Sequence, residues 1–313
     1  MNKYDLVIIG SGASGLSAGV SALKSGIKNV LILEMEDVLG GNLNLFIDNG
    51  FGKYYLNETV TGPELGSILI KDYKALGGLY KLNTRVLEVN RDKIITYVNP
   101  EEGIVEIEAK AIILAAGCRE RYTGNILIPI HKFTGIFTVG AAHRLINYSG
   151  YIPGKEVIIS GDDIWTLIVA RRLVIEGATI KGIVTQTKSF NRNELDIVNG
   201  FNIPIIYESE ISDIEGGERV NLCRIKNLYS YEITTIPCDS LVLSVGYFPD
   251  IDFIKKMSIM MDGDYIKSEN NHTSVEGIFI CGTMKDGIDS LLNSGESGFK
   301  LGNQIFEYLK ESY

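Results

Sequence analysis

A glycine-rich turn near the start of the chain constrains the fold more than any other feature. Residues 6–9 are Leu-Val-Ile-Ile, and they lead directly into residues 10–15, Gly-Ser-Gly-Ala-Ser-Gly, and then a run of small residues. A second apolar run, residues 30–33, ends at Glu34. Glycines at this spacing permit a tight turn and let a pyrophosphate approach the backbone N–H groups at a helix start. The segment therefore predicts a βαβ unit that binds an ADP-containing dinucleotide, with Glu34 on the ribose hydroxyls.

The composition favours a compact protein of about two domains. The chain has 313 residues, of which 45% are hydrophobic, and a net charge of −9 that disfavours a nucleic-acid partner. The first predicted strand begins almost at Met1, which leaves no room for a signal peptide. No run reaches the roughly 18 apolar residues that a membrane span needs. We expect a cytoplasmic protein without a membrane span.

The cysteines show no pattern typical of a metal site or a local redox dithiol. They form no C-x-x-C motif, and none pairs closely in sequence with a histidine. We therefore predict no metal site, and we interpret the cysteines as buried free thiols. The four are Cys118, Cys223, Cys238 and Cys281.

Short predicted elements follow the first unit. The pattern predicts a helix over 61–76 and then three strands that form an antiparallel meander, over 85–89, 93–98 and 104–109. A buried strand over 111–115 follows, and a helix over 290–308 closes the chain.

A second βαβ unit repeats the first. It has a strand over 157–160, a turn at Gly161, a helix over 164–176 and a strand over 180–185. The fold class is therefore α/β with two Rossmann-like, three-layer domains. We predict a discontinuous first domain, residues 1–122 plus 245–313, that encloses a second domain, residues 123–244.

The order of motifs resembles the two-dinucleotide-domain flavoproteins, the superfamily of thioredoxin reductase. The carrying motifs are the first G-x-G-x-x-G with its acid, Ala-Ala-Gly at 115–117, the second unit, Gly-x-x-Pro at 246–249, and Gly-Ile-Phe-x-x-Gly at 277–282. Within this superfamily, residues 49–52, 116–121 and 135–138 look most like a subgroup of NAD(P)/FAD-dependent oxidoreductases. Its members are related to the α subunits of hydrogen cyanide synthase and dye-linked proline dehydrogenase.

The resemblance implies that the first site binds FAD. Its pyrophosphate would lie on Gly10, Gly12, Ala13, Ser14 and Gly15, and its adenosine on Glu34, Met35 and Val86. The flavin half would lie along Gly41, Asn42, Ala116 and Gly117. Gly282 and Thr283 fall where the family usually has Gly-Asp, and Thr283 still offers a hydrogen bond there. A helix that starts near Ser290 and Leu291 would direct its positive end at the flavin ring.

The second unit lacks most determinants of a nucleotide site. Its turn, residues 161–166, reads Gly-Asp-Asp-Ile-Trp-Thr, so Asp163 and Thr166 replace the second and third glycines, and Thr185 replaces the strand-end acid. Asp162 and Asp163 suit a helix start, where they can cap the helix, but they repel a pyrophosphate. We interpret this domain as one that has kept its fold and lost NAD(P)H. The alternative is a nonstandard loop that still binds the nucleotide in a shifted position.

Other residues keep two interpretations. Trp165 packs in the core, or it fills the vacated cleft or covers the flavin. His131 is a surface or linker residue, or an acid or base near the ring. Arg119 and Arg121 join the domains through ion pairs, or they bind an anion.

The sequence predicts an FAD-dependent oxidoreductase that exchanges electrons with a partner protein or a small redox substrate. No catalytic residue is assigned, because the flavin can be the only reactive group. One alternative is an NAD(P)H-dependent flavin oxidoreductase, and another is a non-catalytic flavin-binding subunit of a dehydrogenase complex. A homodimer or a place in a larger complex is expected from the resemblance.

Overall fold

The computed structural model describes residues 1–121 and 127–312. Its strands are numbered β1 to β21 in chain order and its α-helices α1 to α8. The strands are Asn2–Ile9, Val30–Leu33, Asn49–Phe51, Val60–Thr61, Leu79–Lys81, Arg85–Val89, Ile94–Asn99, Gly103–Leu114, Cys118–Glu120, Ile136–Thr138, Glu156–Ser160, Thr179–Val184, Ile205–Ile206, Ser209–Gly216, Val220–Asn227, Ile233–Pro237, Ser240–Leu243, Tyr247–Pro249, Met261–Asp262, Tyr265–Ile266 and Ile278–Ile280. The helices are Ala13–Lys24, Lys53–Leu56, Gly62–Ala75, Val139–Ser149, Ile164–Ile175, Arg192–Val198, Thr283–Asp286 and Ser294–Ser312.

The chain divides into two compact units. Unit 1 comprises Met1–Arg119 and Phe248–Tyr313, and unit 2 comprises Glu120–Tyr247. The boundary that we predicted between Tyr122 and Thr123 lies outside the described residues.

A seven-stranded sheet forms the centre of unit 1. Its order is β5-β2-β1-β8-β7-β6, and β21 pairs with the end of β8. Strands β5, β2, β1, β8 and β21 run parallel, which brings their carboxyl ends to one edge, whereas β7 and β6 form an antiparallel extension. Ligands of open α/β sheets bind at this carboxyl edge.

One long strand corrects the predicted meander. The sequence predicted separate strands over 104–109 and 111–115, but β8 is continuous over Gly103–Leu114. The two predicted strands were separated at Lys110, whose side chain is partly exposed and pairs with Asp5 at 2.7 Å. The charge therefore does not interrupt the strand, whose first half pairs with β7 and second half with β1 and β21.

Helix α3 begins as the sequence predicted. The Thr61 side chain accepts the Glu64 N–H while the Glu64 carboxylate accepts the Thr61 N–H, which forms a capping box. The predicted helix over 61–76 is thus confirmed as Gly62–Ala75 with its two flanking caps.

The described residues of unit 2 form a parallel and an antiparallel sheet. The parallel sheet has the order β10-β17-β11-β12-β13, and α5 connects β11 to β12 as in the first βαβ unit. An antiparallel sheet, β14-β15-β16, shares a buried apolar core with it, and that core includes Ile158, Cys223 and Leu241. The predicted α/β class with two Rossmann-like units is confirmed.

Candidate functional site

The glycine turn of unit 1 connects β1 to α1. Gly10 has φ +100°, and a methyl group added there would lie 2.5 Å from the Ala115 carbonyl oxygen. A methyl group at Gly15 would collide with the Gly10 carbonyl oxygen. At Gly12, by contrast, no described atom beyond its two chain neighbours lies within 4 Å of such a group. The turn is tight beneath the helix start and open above Gly12, which is where a phosphate group has to approach.

The first turn of α1 is open to an anion. Gly12 is the N-cap residue, and no side chain of the described residues makes the capping hydrogen bond. The first turn contains no acidic residue. Backbone N–H groups at a helix start lack partners within the helix and carry partial positive charge, so they bind anions. Ala13, Ser14 and Gly15 supply these groups.

Glu34 connects the end of β2 to the turn. Its buried carboxylate accepts the Ser11 N–H at 2.9 Å and the Glu36 N–H at 2.9 Å, and it also contacts the Ser11 hydroxyl. The Ser11 hydroxyl oxygen in turn accepts the Gly40 N–H at 3.0 Å. The adjacent Gly41 lies against Gly12, since a methyl group added at Gly41 would be 3.1 Å from the Gly12 Cα. These contacts bring Glu34 and Gly41 to the side of the turn formed by Ser11 and Gly12.

The late Gly-Thr pair also lies at this edge. Gly282 has φ +68° and packs so closely on Ser14 that a methyl group there would collide with the Ser14 hydroxyl. The Thr283 hydroxyl lies 3.6 Å from the position of a methyl group on Gly117, and the Thr283 carbonyl accepts the Cys118 thiol at 2.8 Å. The residues predicted from three separate motifs therefore meet at one place.

Four further predicted cofactor residues lie in unit 1, where the contacts of the described residues do not identify a role for them. Met35 is exposed immediately after Glu34, and Asn42 lies in a 3-10 turn over Gly41–Asn44. Val86 lies on β6, and Ala116 follows β8. Their roles stay predictions.

The helix predicted to start near Ser290 and Leu291 starts two residues earlier, as a 3-10 helix that continues directly into α8. Residues Ile288–Asn293 form a 3-10 helix, and α8 begins at Ser294. The Ser290 hydroxyl donates to the Gly287 carbonyl, and the Ser294 hydroxyl donates to the Leu291 carbonyl, each at 2.7 Å. Both hydroxyls bond to the carbonyl three residues back, within this tighter first part of the helix. Leu291 is buried within the 3-10 helix.

In unit 2 the corresponding turn is filled by its own side chains. Asp163 is the N-cap of α5, and its carboxylate accepts the Thr166 N–H at 2.9 Å and contacts the Ser244 hydroxyl. Thr166 is fully buried, and its hydroxyl occupies the space beside Gly161 that a methyl group would need. The predicted helix cap by an aspartate is confirmed, with Asp163 in that role.

Asp162 makes a different contact. Its carboxylate accepts the Gln186 N–H at 2.8 Å and the hydroxyl proton of buried Thr185. In unit 1 the turn supplies a hydroxyl and the strand end supplies the acid, whereas in unit 2 these two groups have exchanged places. Comparison of the two units in sequence predicted that Thr185 replaces the acid, but it did not predict that Thr185 bonds to Asp162 in the turn. In each unit one of these two positions carries a hydroxyl and the other an acid, as Ser11 and Glu34 do in unit 1, and this pattern would have identified the Asp162–Thr185 pair.

A second carboxylate, that of Glu120, lies near enough to Asp163 for the two negative charges to repel each other. Glu120 accepts the Gly140 N–H and the Thr138 hydroxyl, each at 2.8 Å. Burial raises the pKa of Glu120, and the negative charge of Asp163 raises it further. A further anion at this helix start would meet the same repulsion.

Trp165 belongs to the packing of unit 2. Its indole N–H donates to His143 Nδ1 at 2.9 Å, and its ring stacks on Tyr247 with the centroids 5.6 Å apart. Burial lowers the pKa of His143 to about 4, and the positive charge of Arg172 adds to this effect. The interpretation of Trp165 as a core residue agrees with its burial and contacts.

The remaining candidates are a histidine, an arginine and a pair of cysteines. His131 is exposed, and Arg119 pairs with Asp250 at 2.6 Å within unit 1. Cys223 and Cys238, which are 15 residues apart in sequence, have their sulfur atoms 3.5 Å apart. Among residues 1–121 and 127–312, no three His, Cys, Asp or Glu side chains form a metal-ligand group, and no helix is long and apolar enough to cross a membrane.

Comparisons with known proteins agree with this architecture. A family model of NAD(P)-binding Rossmann-like domains matches residues 8–60. The thioredoxin reductase of Rickettsia conorii is 26% identical over 299 residues, which cover 90% of each chain. The crystal structure of T. acidophilum thioredoxin reductase superposes with a TM-score of 0.80 at 21% identity and covers 98% of this chain and 99% of that one. L-proline dehydrogenase from P. horikoshii gives 0.69 at 19% identity, over 98% of this chain and 56% of that one.

The fold and the relatives define a class. The chain has the architecture of the two-domain flavoproteins of the thioredoxin reductase type. Its curated relatives include proteins named thioredoxin reductase, at 26% and 24% identity, and these homologues support a flavin-dependent oxidoreductase.

Proposed function

We propose that this protein is an FAD-dependent oxidoreductase that does not take hydride from NAD(P)H. The observation that carries the proposal is the contrast between two helix starts. The first turn of α1 is uncapped and free of acids, whereas Asp163 caps α5 with its own carboxylate. One start is suited to a pyrophosphate, and the other already holds an anion.

The residues of unit 1 fit FAD. We assign the pyrophosphate to the backbone of the glycine turn, the adenosine ribose to Glu34, and the flavin half to the carboxyl edge around Gly41, Gly117 and Thr283. When bound, FAD supplies the electron-accepting ring, and the protein supplies its position and electrostatic surroundings. Further contacts are proposed for Met35, Asn42, Val86, Ala116 and Leu291.

The chemistry of unit 2 disfavours NAD(P)H. Asp162 and Asp163 stand at a helix start where the nucleotide would place two phosphate charges. Each like-charge contact at a partly exposed site costs about 1 kcal/mol or more. Thr166 adds a buried β-branched side chain at the contact where the third glycine of the motif permits close packing.

The electrons would then come from a partner protein or a small redox substrate. The relatives named thioredoxin reductase suggest a thioredoxin-like protein as one candidate. However, the sequence contains no C-x-x-C that would act as the exchanging dithiol. We therefore favour a different redox partner, in a homodimer or a larger assembly.

Anaerobic stopped-flow mixing tests the proposal. Dithionite should bleach the flavin band, while saturating NADH or NADPH should bleach it more slowly than about 1 s⁻¹, the low end of typical turnover. Bleaching by either nucleotide at faster rates would overturn the proposal and favour an NAD(P)H-dependent flavin reductase. A dithionite-reduced flavin that passes electrons to no quinone, dye or protein acceptor would overturn it in favour of a non-catalytic flavin subunit.

A further inference from the structure

Unit 2 contains a thiol pair that no sequence motif reveals. Cys223 lies on β15, and Cys238 follows the last residue of β16. Cys223 stands opposite Ile236 in the antiparallel ladder, and the Cys238 N–H donates to the Asn221 carbonyl at 3.1 Å. Because side chains alternate between the two faces of a strand, this register places both thiols on the same face of the sheet.

The two sulfur atoms are in direct contact. They lie 3.5 Å apart inside the apolar core of unit 2, where Cys223 is fully buried and Cys238 is 4% exposed. A disulfide needs an S–S distance of about 2.05 Å, so the sulfur atoms must approach by about 1.5 Å. The other two cysteines, Cys118 and Cys281, belong to unit 1.

The pair is chemically asymmetric. The hydrogen bond with Cys223 lowers the pKa of the Cys238 thiol, whereas the same contact and burial raise the pKa of Cys223. The thiolate is the reactive form of cysteine. Both members are buried, and Cys238 is the more acidic of the two.

We propose that Cys223 and Cys238 form a reversible disulfide when the protein meets a hydroperoxide. The Cys238 sulfur attacks the O–O bond of hydrogen peroxide, which gives a sulfenic acid and releases hydroxide that is protonated to water. The Cys223 sulfur then attacks the Cys238 sulfur, loses its proton and releases a second water. In total, two thiols are oxidised by two electrons, and one peroxide is reduced to two waters. Burial of both sulfurs excludes a protein disulfide as the oxidant and favours a molecule as small as peroxide.

Peptide mapping of the flavin-loaded full-length protein tests the pair. The reduced protein is treated with hydrogen peroxide, denatured and alkylated, and its remaining thiols are counted by mass. We expect two of the four thiols to be lost, with one linked peptide that joins Cys223 to Cys238, and both thiols to return after dithiothreitol. Four alkylated thiols, or a link that involves Cys118 or Cys281, would overturn the proposal.

Variants test the order of attack. The double variant Cys118→Ser/Cys281→Ser should form the same link, which shows that unit 1 thiols are not required. In Cys223→Ser, dimedone should label a sulfenic acid at Cys238. In Cys238→Ser, the fraction of Cys223 that dimedone labels should be lower. The reverse ratio would overturn the assigned order. Since the wild-type mapping needs no substitution, it remains decisive if a serine variant does not fold.

Discussion

The turns of the two βαβ units both connect a strand to a helix, but their helix starts differ in what bonds to the free N–H groups. In unit 1 the helix start has no side-chain cap, and the acid, Glu34, stands back at the strand end. In unit 2 two acids lie in the turn itself. Asp163 caps the helix, and Asp162 accepts the N–H of Gln186 just after the next strand. A side-chain cap stabilises a helix start, but the N–H group that it occupies can no longer bind a ligand anion. The comparison teaches that side chains, rather than the fold, decide which unit can bind a dinucleotide.

The largest expected effect comes from giving unit 1 the acid of unit 2. Gly12 corresponds to Asp163, and space is open around it, so Gly12→Asp should fold. We expect FAD affinity to fall about 100-fold or more, because a carboxylate near a phosphate costs several kcal/mol at intermediate dielectric. Flavin titration of the apoprotein measures this. Gly12→Ala is the matched control and should lose much less, and equal losses in the two variants would contradict the role of charge.

Acid should destabilise unit 2 through His143. Its pKa is about 4 in the folded protein and 6.5 in the unfolded chain, so unfolding takes up a proton between these pH values. The free energy of unfolding should therefore fall as the pH drops from about 6.5 to 4, by up to about 3 kcal/mol. Urea unfolding can be followed by Trp165, the single tryptophan. His143→Gln should remove this pH dependence and exposed His131→Gln should keep it; a slope unchanged in the first variant would refute the assignment.

Removing the charge of Glu34 tests the strand-end acid of unit 1. Glu34→Gln should weaken FAD binding about tenfold, since hydrogen bonds to charged groups contribute about 1.5–3 kcal/mol. Equilibrium dialysis of FAD against the variant measures the change. Glu36→Gln is the neighbouring control, because Glu36 contacts Glu34 through its backbone N–H. Unchanged FAD affinity in Glu34→Gln would argue against ribose binding there.

The smallest effect is expected for the cap of α5. Asp163→Ala should lower the free energy of unfolding by about 1 kcal/mol, because the Thr166 N–H loses its acceptor. Asp163→Asn retains a capping oxygen and should lose much less. Urea unfolding of the two variants compares them, and similar stability of Asp163→Ala and wild type would mean that the turn does not depend on its cap.

Periodic features were predictable from the sequence. Both βαβ units follow from apolar runs separated by glycine turns, and the helix at Gly62–Ala75 follows from its capping box. The site residues at Gly10, Gly12, Ser14, Gly15 and Glu34 are close in sequence, so the motif fixes their relation. Their grouping with Gly282 required the parallel pairing of β1, β8 and β21.

The features that sequence reasoning missed depend on tertiary contacts. Lys110 looked like a strand break because its partner Asp5 is distant in sequence. The change from a 3-10 helix to α8 at Ser294 is accompanied by serine hydroxyl bonds to nearby carbonyls, which hydrophobic periodicity does not report. The Cys223–Cys238 contact depends on the register of a hairpin.

Calorimetric titration of the same apoprotein with FAD and then with NADPH or NADH tests the central claim most directly. One turn is open to a pyrophosphate and the other is closed by its own carboxylates, so we predict one FAD bound per chain and no binding heat with either nicotinamide nucleotide. Stoichiometric binding of NADPH or NADH to the FAD-loaded protein would contradict the account.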